Sequence, residues 1–295
     1  MMSPETFMKH LTMIVRRLLL TIILGLIASC GGGSGGSMPS VSTLGATGVQ
    51  FSRTMTVTVN GTALDVGELT MVVDGPCVDI AKAAAGTDLQ LQFTCRITGL
   101  GEIVARVRTA DRLELASLRL SVPAPRVSMT VVQGTRSGSY VVELDPVAAP
   151  ITVENFLAYV NGGFYVNTLF HRVIAGFVAQ AGGFVAGPTP KPATRAPIKL
   201  EAGNGLKNLR GTIAMARESE PDTANAQFHF NLVNNPSLDF GSVENPLGYA
   251  VFGTLISGQE VVDEIGIVEV SSTNTAGLPN LPVTNVRITS ASQIR

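Results

Sequence analysis

Through most of the chain, apolar and polar residues alternate in short runs separated by turn-forming residues, and only two stretches carry a helical repeat instead. A period of two puts every second side chain on one face of a strand, so a chain written this way must build its core from half-buried sheets. Between about Val41 and Val122 the pattern shows in Met55-Thr-Val-Thr-Val59, Leu89-Gln-Leu-Gln-Phe93 and Leu118-Arg-Leu-Ser-Val122, with Asn60-Gly61 and Asp74-Gly75-Pro76 as turns. This reads as an all-β sandwich of roughly 80 residues. Its end falls at Val122-Pro-Ala-Pro-Arg126, where two prolines remove ladder donors and force an extended link. With 295 residues, 45% of them hydrophobic, the chain has room for two domains.

Strand signals resume near Val127 and run through Ser139 to Leu144. Val153, Phe156, Leu157 and Val160 then fall at i, i+3, i+4 and i+7, which predicts a helix with one apolar face. Thr152 suits its N-cap, Glu154 its first turn, and Gly162 or Gly163 its end. A second short helix is expected over 259–265, with Val261, Val262 and Ile265 on one side. Strands are expected over 166–174, 211–217, 227–232, 249–256 and 286–294, with an extended loop at 187–192. Many strands with two helices point to a mainly β fold, a closed antiparallel barrel plugged by helices.

The N-terminus has a different grammar. Lys9, Arg16 and Arg17 precede the uncharged run from Leu18 to Ile27, too short for the ~20 residues of a spanning helix and suited to a signal peptide over 1–29. The run ends in Ile27-Ala28-Ser29-Cys30, which resembles a bacterial lipobox. The resemblance implies an acylated Cys30 and attachment to a membrane, with Gly31 after it favouring the outer membrane and hence the periplasmic side of the envelope. An ordinary secretory peptide with an incidental Cys is the alternative. Residues 30–37 (CGGGSGGS) would then be a flexible tether.

The remaining composition excludes several classes. Lys plus Arg number 21 against 22 Asp plus Glu, and no basic block follows the first twenty residues, so a nucleic-acid footprint is not expected. Three Cys and three His, with neither a CxxC pair nor an HExxH, argue against a metal site or any other cofactor. In an oxidising compartment Cys77 and Cys95 would pair across a short loop; two buried thiols are the alternative. Nothing between 38 and 125 suggests chemistry. Arg106, Arg108, Asp111 and Arg112 read as scattered surface charges, and this domain as a spacer or a partner-binding module.

The second domain carries Phe170-His-Arg-Val-Ile-Ala-Gly-Phe-Val-Ala-Gln-Ala-Gly182, then Gly211-Thr-Ile-Ala-Met-Ala-Arg217, Gln227-Phe228 and Gly248-Tyr-Ala-Val-Phe-Gly253. In order and spacing these blocks resemble the cyclophilins, peptidyl-prolyl cis/trans isomerases, and most closely their bacterial periplasmic branch. The resemblance runs from about Met129 to Ile294, within a domain spanning 126–295. It implies an eight-stranded antiparallel barrel capped by two helices, with its site on an outer face, and proline-containing polypeptides as partners.

That chemistry needs little. Rotation about an X-Pro bond breaks amide resonance, a barrier of ~20 kcal/mol, but makes and cuts no covalent bond. Five decades of acceleration require about 7 kcal/mol. One well-placed donor in a dry site supplies roughly 3 to 4 kcal/mol, and gripping the ring and its flanks can supply the remainder. By resemblance Arg172 is that donor, suited by its permanent charge and rigid fork of N–H groups. Phe177 would floor the proline pocket, Val178 wall it, and Gln180 bond substrate backbone. Gln227, Ala216, Arg217, Leu238 and Tyr249 match substrate-side positions. On 227–232, period two places Gln227, His229 and Asn231 on one face and Phe228, Phe230 and Leu232 on the core side. His229 therefore replaces an aromatic of the pocket, either as a group titrating between about pH 5 and 8 or as a neutral surrogate for Phe. His171 reads as structural. Ser237 stands where cyclosporin-sensitive members have Trp, so cyclosporin binding should be weak. The expected function is folding assistance to exported proteins; the rival is a proline-segment binding module with little turnover.

Overall fold

The computed structural model describes residues 37–271 and 277–295; the candidate signal peptide and Cys30 lie outside them. The described residues form two compact units. One comprises 37–48, Thr54–Arg96 and Ile103–Leu120; the other comprises Val49–Arg53, Ile97–Glu102 and Ser121–Arg295.

The first unit is built from β1 (Ser40–Thr47), β2 (Thr54–Thr62), β3 (Thr70–Asp74), β4 (Cys77–Lys82), β5 (Gln90–Ile97), β6 (Gly101–Arg108) and β7 (Glu114–Val122). They form a four-stranded sheet, β1-β2-β5-β4, and a three-stranded sheet, β3-β6-β7. Met55, Val57 and Val59 on β2 and Leu91, Phe93, Cys95 and Ile97 on β5 are all buried, which is the alternation realised. Cys77 on β4 and Cys95 on β5 form a disulfide with Cα atoms 5.8 Å apart. Arg106 and Arg108 are not scattered charges. They are part-buried and share Glu114 at 3.4 and 3.6 Å, and Arg106 also pairs with Asp74.

The second unit contains β8 (Arg126–Gln133), β9 (Arg136–Leu144), α1 (Pro150–Asn161), β10 (Thr168–Ile174), β11 (Val178–Val185), β12 (Thr189–Pro190), β13 (Thr212–Met215), β14 (Phe228–Asn231), β15 (Val251–Ser257), α2 (Gln259–Gly266), β16 (Val270–Ser271), β17 (Leu281–Pro282) and β18 (Val286–Gln293). The order β10-β18-β8-β9-β15-β13-β14-β11 closes through β10–β11 pairing into an eight-stranded antiparallel barrel, with β12 added at the edge of β11. β12 falls within the segment expected to be an extended loop, where Thr189 and Pro190 face Val185 and Phe184.

The lumen is solid. Phe156 of α1 lies against Phe228 and Phe252 at 5.6 and 5.0 Å between ring centroids, Tyr140 meets Phe230 edge-on at 5.2 Å, and Phe170 stacks on Phe230 at 6.4 Å. Rings packed at these distances leave no room for a substrate, so any binding surface must lie on the outer wall.

The first helix starts earlier than the sequence suggests. Its N-cap is Ala149 and Pro150 takes the first turn, where its missing N–H costs nothing. Thr152 is therefore inside the helix, and Glu154 lies beyond the first turn. Capping comes instead from Glu201 on a distant loop, whose carboxylate accepts the N–H groups of Ile151 and Thr152 at 3.1 and 2.8 Å and the Thr152 hydroxyl at 2.7 Å. A charged acceptor from outside the helix does what a local threonine was expected to do. At the other end Gly162 is the C-cap and Gly163, at φ 69°, carries the left-handed turn. On α2, Val262 and Ile265 are buried, while Val261 sits against Gly138 of β9.

Candidate active site

Four strands present one row of outward side chains. Arg172 on β10 faces Gln180 on β11, Gln180 faces His229 on β14, and His229 faces Ala214 on β13. The rows on either side point inward: Phe170, Ala181, Phe228 and Met215 in one, Val173, Ala179, Phe230 and Ile213 in the other.

Strict alternation fails between Phe170 and Arg172, and it matters. Phe170 and Arg172 are two residues apart, yet Phe170 points into the barrel and Arg172 out of it. The register slips between them: Phe170 pairs with Ala181 and Arg172 with Gln180, so His171 is an extra residue in β10. This β-bulge turns the strand and brings the guanidinium onto the outer wall. His171 packs beside the bulge, 96% buried, its ring 4.6 Å from Phe184 and its Nδ1 3.4 Å from the Leu169 carbonyl oxygen. Burial pushes its pKa down to about 4.

Arg172 is half-buried, and one Nη1 N–H reaches Gln180 Oε1 at 3.4 Å; among the described residues no carboxylate pairs with it. Gln180 Nε2 in turn donates to Gln227 Oε1 at 2.9 Å. Gln227 lies flat over Gly183, where a Cβ would come within 2.5 to 2.9 Å of its amide group, so the glycine makes room for the amide. The result is a chain of donors, guanidinium to amide to amide, along the wall.

Below this row, Phe177 occupies the turn between β10 and β11, its N–H bonded to the Ile174 carbonyl at 3.0 Å. Val178, opposite Ile174 and Asn231, is 97% buried. Leu238 ends a short 3-10 turn and is half-buried, as are Ala216 and Tyr249. Tyr249 N–H bonds to the Leu238 carbonyl at 2.9 Å, joining the two ends of the intervening loop. Ser237 contributes no apolar bulk to this rim.

Arg217 is committed to its own loops. It donates to the carbonyls of Gly248, Glu218 and Ser219 at 3.0, 2.8 and 3.1 Å and to Asn245 Oδ1 at 2.9 Å, and its guanidinium covers the Tyr249 ring at 4.8 Å. It clamps the 238–249 loop to the end of β13.

His229 is 95% buried and meets Tyr249 edge-on at 5.5 Å. Burial, reinforced by the nearby Arg172 charge, pushes its pKa down to about 4. Of the two readings of His229, this burial favours the neutral surrogate for Phe over a group titrating between pH 5 and 8. Among the described residues its Nε2 has no hydrogen-bond partner.

Three residues escaped the sequence reading as parts of the site. Asn208, Asn231 and Asn235 form a buried polar cluster under Phe177 and Leu238. The signal available was the placement of Asn231 on the same outward face as His229. Among the described residues no cluster of three or more His, Cys, Asp or Glu could hold a metal ion.

A cyclophilin-type peptidyl-prolyl cis-trans isomerase family model matches residues 127–293, the barrel described above. The chain belongs to this family and is a peptidyl-prolyl cis-trans isomerase. Over 172 residues, 58% of this chain and 88% of the relative, it is 46% identical to peptidyl-prolyl cis-trans isomerase A of Dickeya dadantii (strain 3937). It is 52% identical to isomerase B of Escherichia coli (strain K12) over 132 residues, covering 44% and 80% of the two chains. Among solved structures, a Cryptosporidium parvum cyclophilin-type isomerase determined in the presence of the dipeptide Ala-Pro is 25% identical, with a TM-score of 0.48, over 58% of this chain and 99% of that one.

Proposed function

We propose that the outer row is the catalytic surface and that Arg172 supplies the decisive interaction. As the prolyl amide twists out of plane, its nitrogen regains a lone pair, and a guanidinium N–H aimed there stabilises the twisted state more than either planar one. The observation that carries this reading is that Arg172 is turned outward by a bulge and, among the described residues, has no carboxylate to neutralise it, which leaves its remaining donors for a ligand. Phe177, Val178, Leu238 and the His229–Tyr249 pair offer the apolar seat for the ring. Gln180 and Gln227 offer amides to the substrate backbone, Ala216 lies beside them at the end of β13, and Arg217 holds the rim.

The experiment is a protease-coupled assay on a short X-Pro peptide. Replacing Arg172 with Ala should lower kcat/KM by roughly 10²- to 10³-fold, the cost of one preorganised donor; unchanged turnover would remove the mechanism. His229→Phe in the same assay asks whether the substituted ring limits turnover.

We further propose that the enzyme assists folding of exported proteins on the periplasmic side of the envelope, the wrong compartment for reduced thiols and the right one for the Cys77–Cys95 bond, with Cys30 as its lipid attachment to the outer membrane. The domain organisation that goes with this is a signal peptide over 1–29, a tether over 30–37, a β domain over 38–125 and the isomerase over 126–295. Metabolic labelling with a fatty acid, lost in Cys30→Ala, checks the attachment. Cyclosporin should bind weakly because the small Ser237 offers little apolar area at the rim; calorimetry giving a tight complex would contradict this.

A further inference from the structure

The three asparagines beneath the site are almost fully enclosed, Asn208 at 1% exposure, Asn231 at 0% and Asn235 at 5%. Polar side chains in such a position are costly unless their hydrogen-bonding capacity is used. Here it is used on one another and on the backbone of the pocket. Asn235 Nδ2 donates to Asn231 Oδ1 at 2.8 Å and to the Phe177 carbonyl at 3.0 Å. Asn231 Nδ2 donates to Asn208 Oδ1 at 3.1 Å and to Thr212 Oγ1 at 2.9 Å. Asn208 Nδ2 donates to the Leu238 carbonyl at 2.9 Å and to Asp239 Oδ1 at 3.2 Å, and Asn208 N–H donates to the same carboxylate oxygen at 2.8 Å.

Followed end to end, this is one continuous path from the Phe177 carbonyl, through Asn235, Asn231 and Asn208, to the Leu238 carbonyl. The backbone supports it, since Leu232 N–H also bonds to the Phe177 carbonyl and Asn235 N–H to the Asn208 carbonyl, at 2.9 and 2.8 Å. Phe177 and Leu238 lie on separate turns, one between β10 and β11 and the other after β14. A gap between two turns is set by whatever spans them, and the triad spans them.

We propose that Asn208, Asn231 and Asn235 are positioning residues that fix the width of the proline seat by tying its floor at Phe177 to its wall at Leu238. This rests on the reading of those two residues as the seat. None of the three asparagines need touch substrate. Arg172 sits on β10, outside the path, so loosening the triad should impair the grip on the ring more than the chemistry at the amide.

The test uses the full chain carrying Asn235→Ala or Asn231→Ala, with two peptides that differ only in ring size, one with proline and one with its six-membered homologue, pipecolate. Kinetics are read per folded molecule, with folding followed by near-UV circular dichroism. A widened seat should raise KM for the proline peptide by about tenfold, leave kcat within about threefold, and shift the preference toward the larger ring by a similar factor, well inside what small misplacements cost. A merely structural role lowers the folded fraction without moving the ring-size ratio. If Asn231→Ala does not fold, Asn235→Ala carries the test, because it removes only the two bonds at the Phe177 end. Phe177→Ala, run alongside, separates the two ideas. If it changes KM for neither peptide, the seat assignment fails and the frame with it. If it changes KM while neither asparagine variant moves the ratio, the frame alone is overturned.

Discussion

His229 shows how one substitution can change a site's liabilities without changing its shape. Its ring is enclosed beside Tyr249 with an Nε2 that has no partner among the described residues, a situation that costs about 1 to 3 kcal/mol for a buried polar group. His229→Phe should therefore be tolerated or mildly stabilising. The acid behaviour is more diagnostic. His171 and His229 titrate near pH 4 in the folded protein against 6.5 for an ordinary histidine, so between those values the unfolded chain binds more protons. Stability should be level above about pH 6.5 and fall as pH drops toward 4, by about 3 kcal/mol for each ring. Urea unfolding at pH 7, 6 and 5 checks the slope, and His229→Phe should remove about half of it; an unchanged slope would mean that the ring is not held neutral. The role of Arg217 is equally a matter of bookkeeping at single atoms. Its position matched a substrate-side stretch, but only coordinates show that four of its N–H groups end on Gly248, Glu218, Ser219 and Asn245.

At the level of elements, α1 is stabilised from a distance. Glu201 takes up the first free N–H groups of the helix and the Thr152 hydroxyl, so Glu201→Ala should cost roughly 1 to 2 kcal/mol, comparable to losing a good N-cap. Thermal unfolding measures this, and turnover per folded molecule should be unaffected since the helix plugs the lumen rather than lining the site. The helices and most barrel strands were legible because their periodicity is local. The apolar spacing of Val153, Phe156, Leu157 and Val160 stands out from its neighbours, as does the alternation of Phe228, His229 and Phe230. What was not legible is long-range by nature. No local signal assigns a cap forty-nine residues away to Thr152, and the Asn208–Asn231–Asn235 path joins segments that are neighbours only after the barrel has closed.

Taken whole, the molecule divides its tasks. The second unit holds the isomerase barrel, while the first is two sheets, with Cys77–Cys95 joining the neighbouring strands β4 and β5 of the four-stranded one. Replacing both cysteines with serine should destabilise the first unit by about 3 kcal/mol on the chain-entropy account. Differential scanning calorimetry would show its transition shifted, with turnover on a short peptide unchanged within about twofold. Loss of turnover in parallel with that shift would mean that the barrel depends on the sheets. Within the barrel, the surplus residue in β10 has a consequence for how the enzyme can vary. Were His171 an ordinary in-register residue rather than an extra one, strict alternation would carry the cation of Arg172 to the interior, among Phe170, Phe228 and Phe230, where burying its charge would be costly. The bulge is thus policed by folding itself: a lineage that straightened the strand while keeping every residue would forfeit its architecture along with its reaction, so the catalyst and the container have to be inherited together.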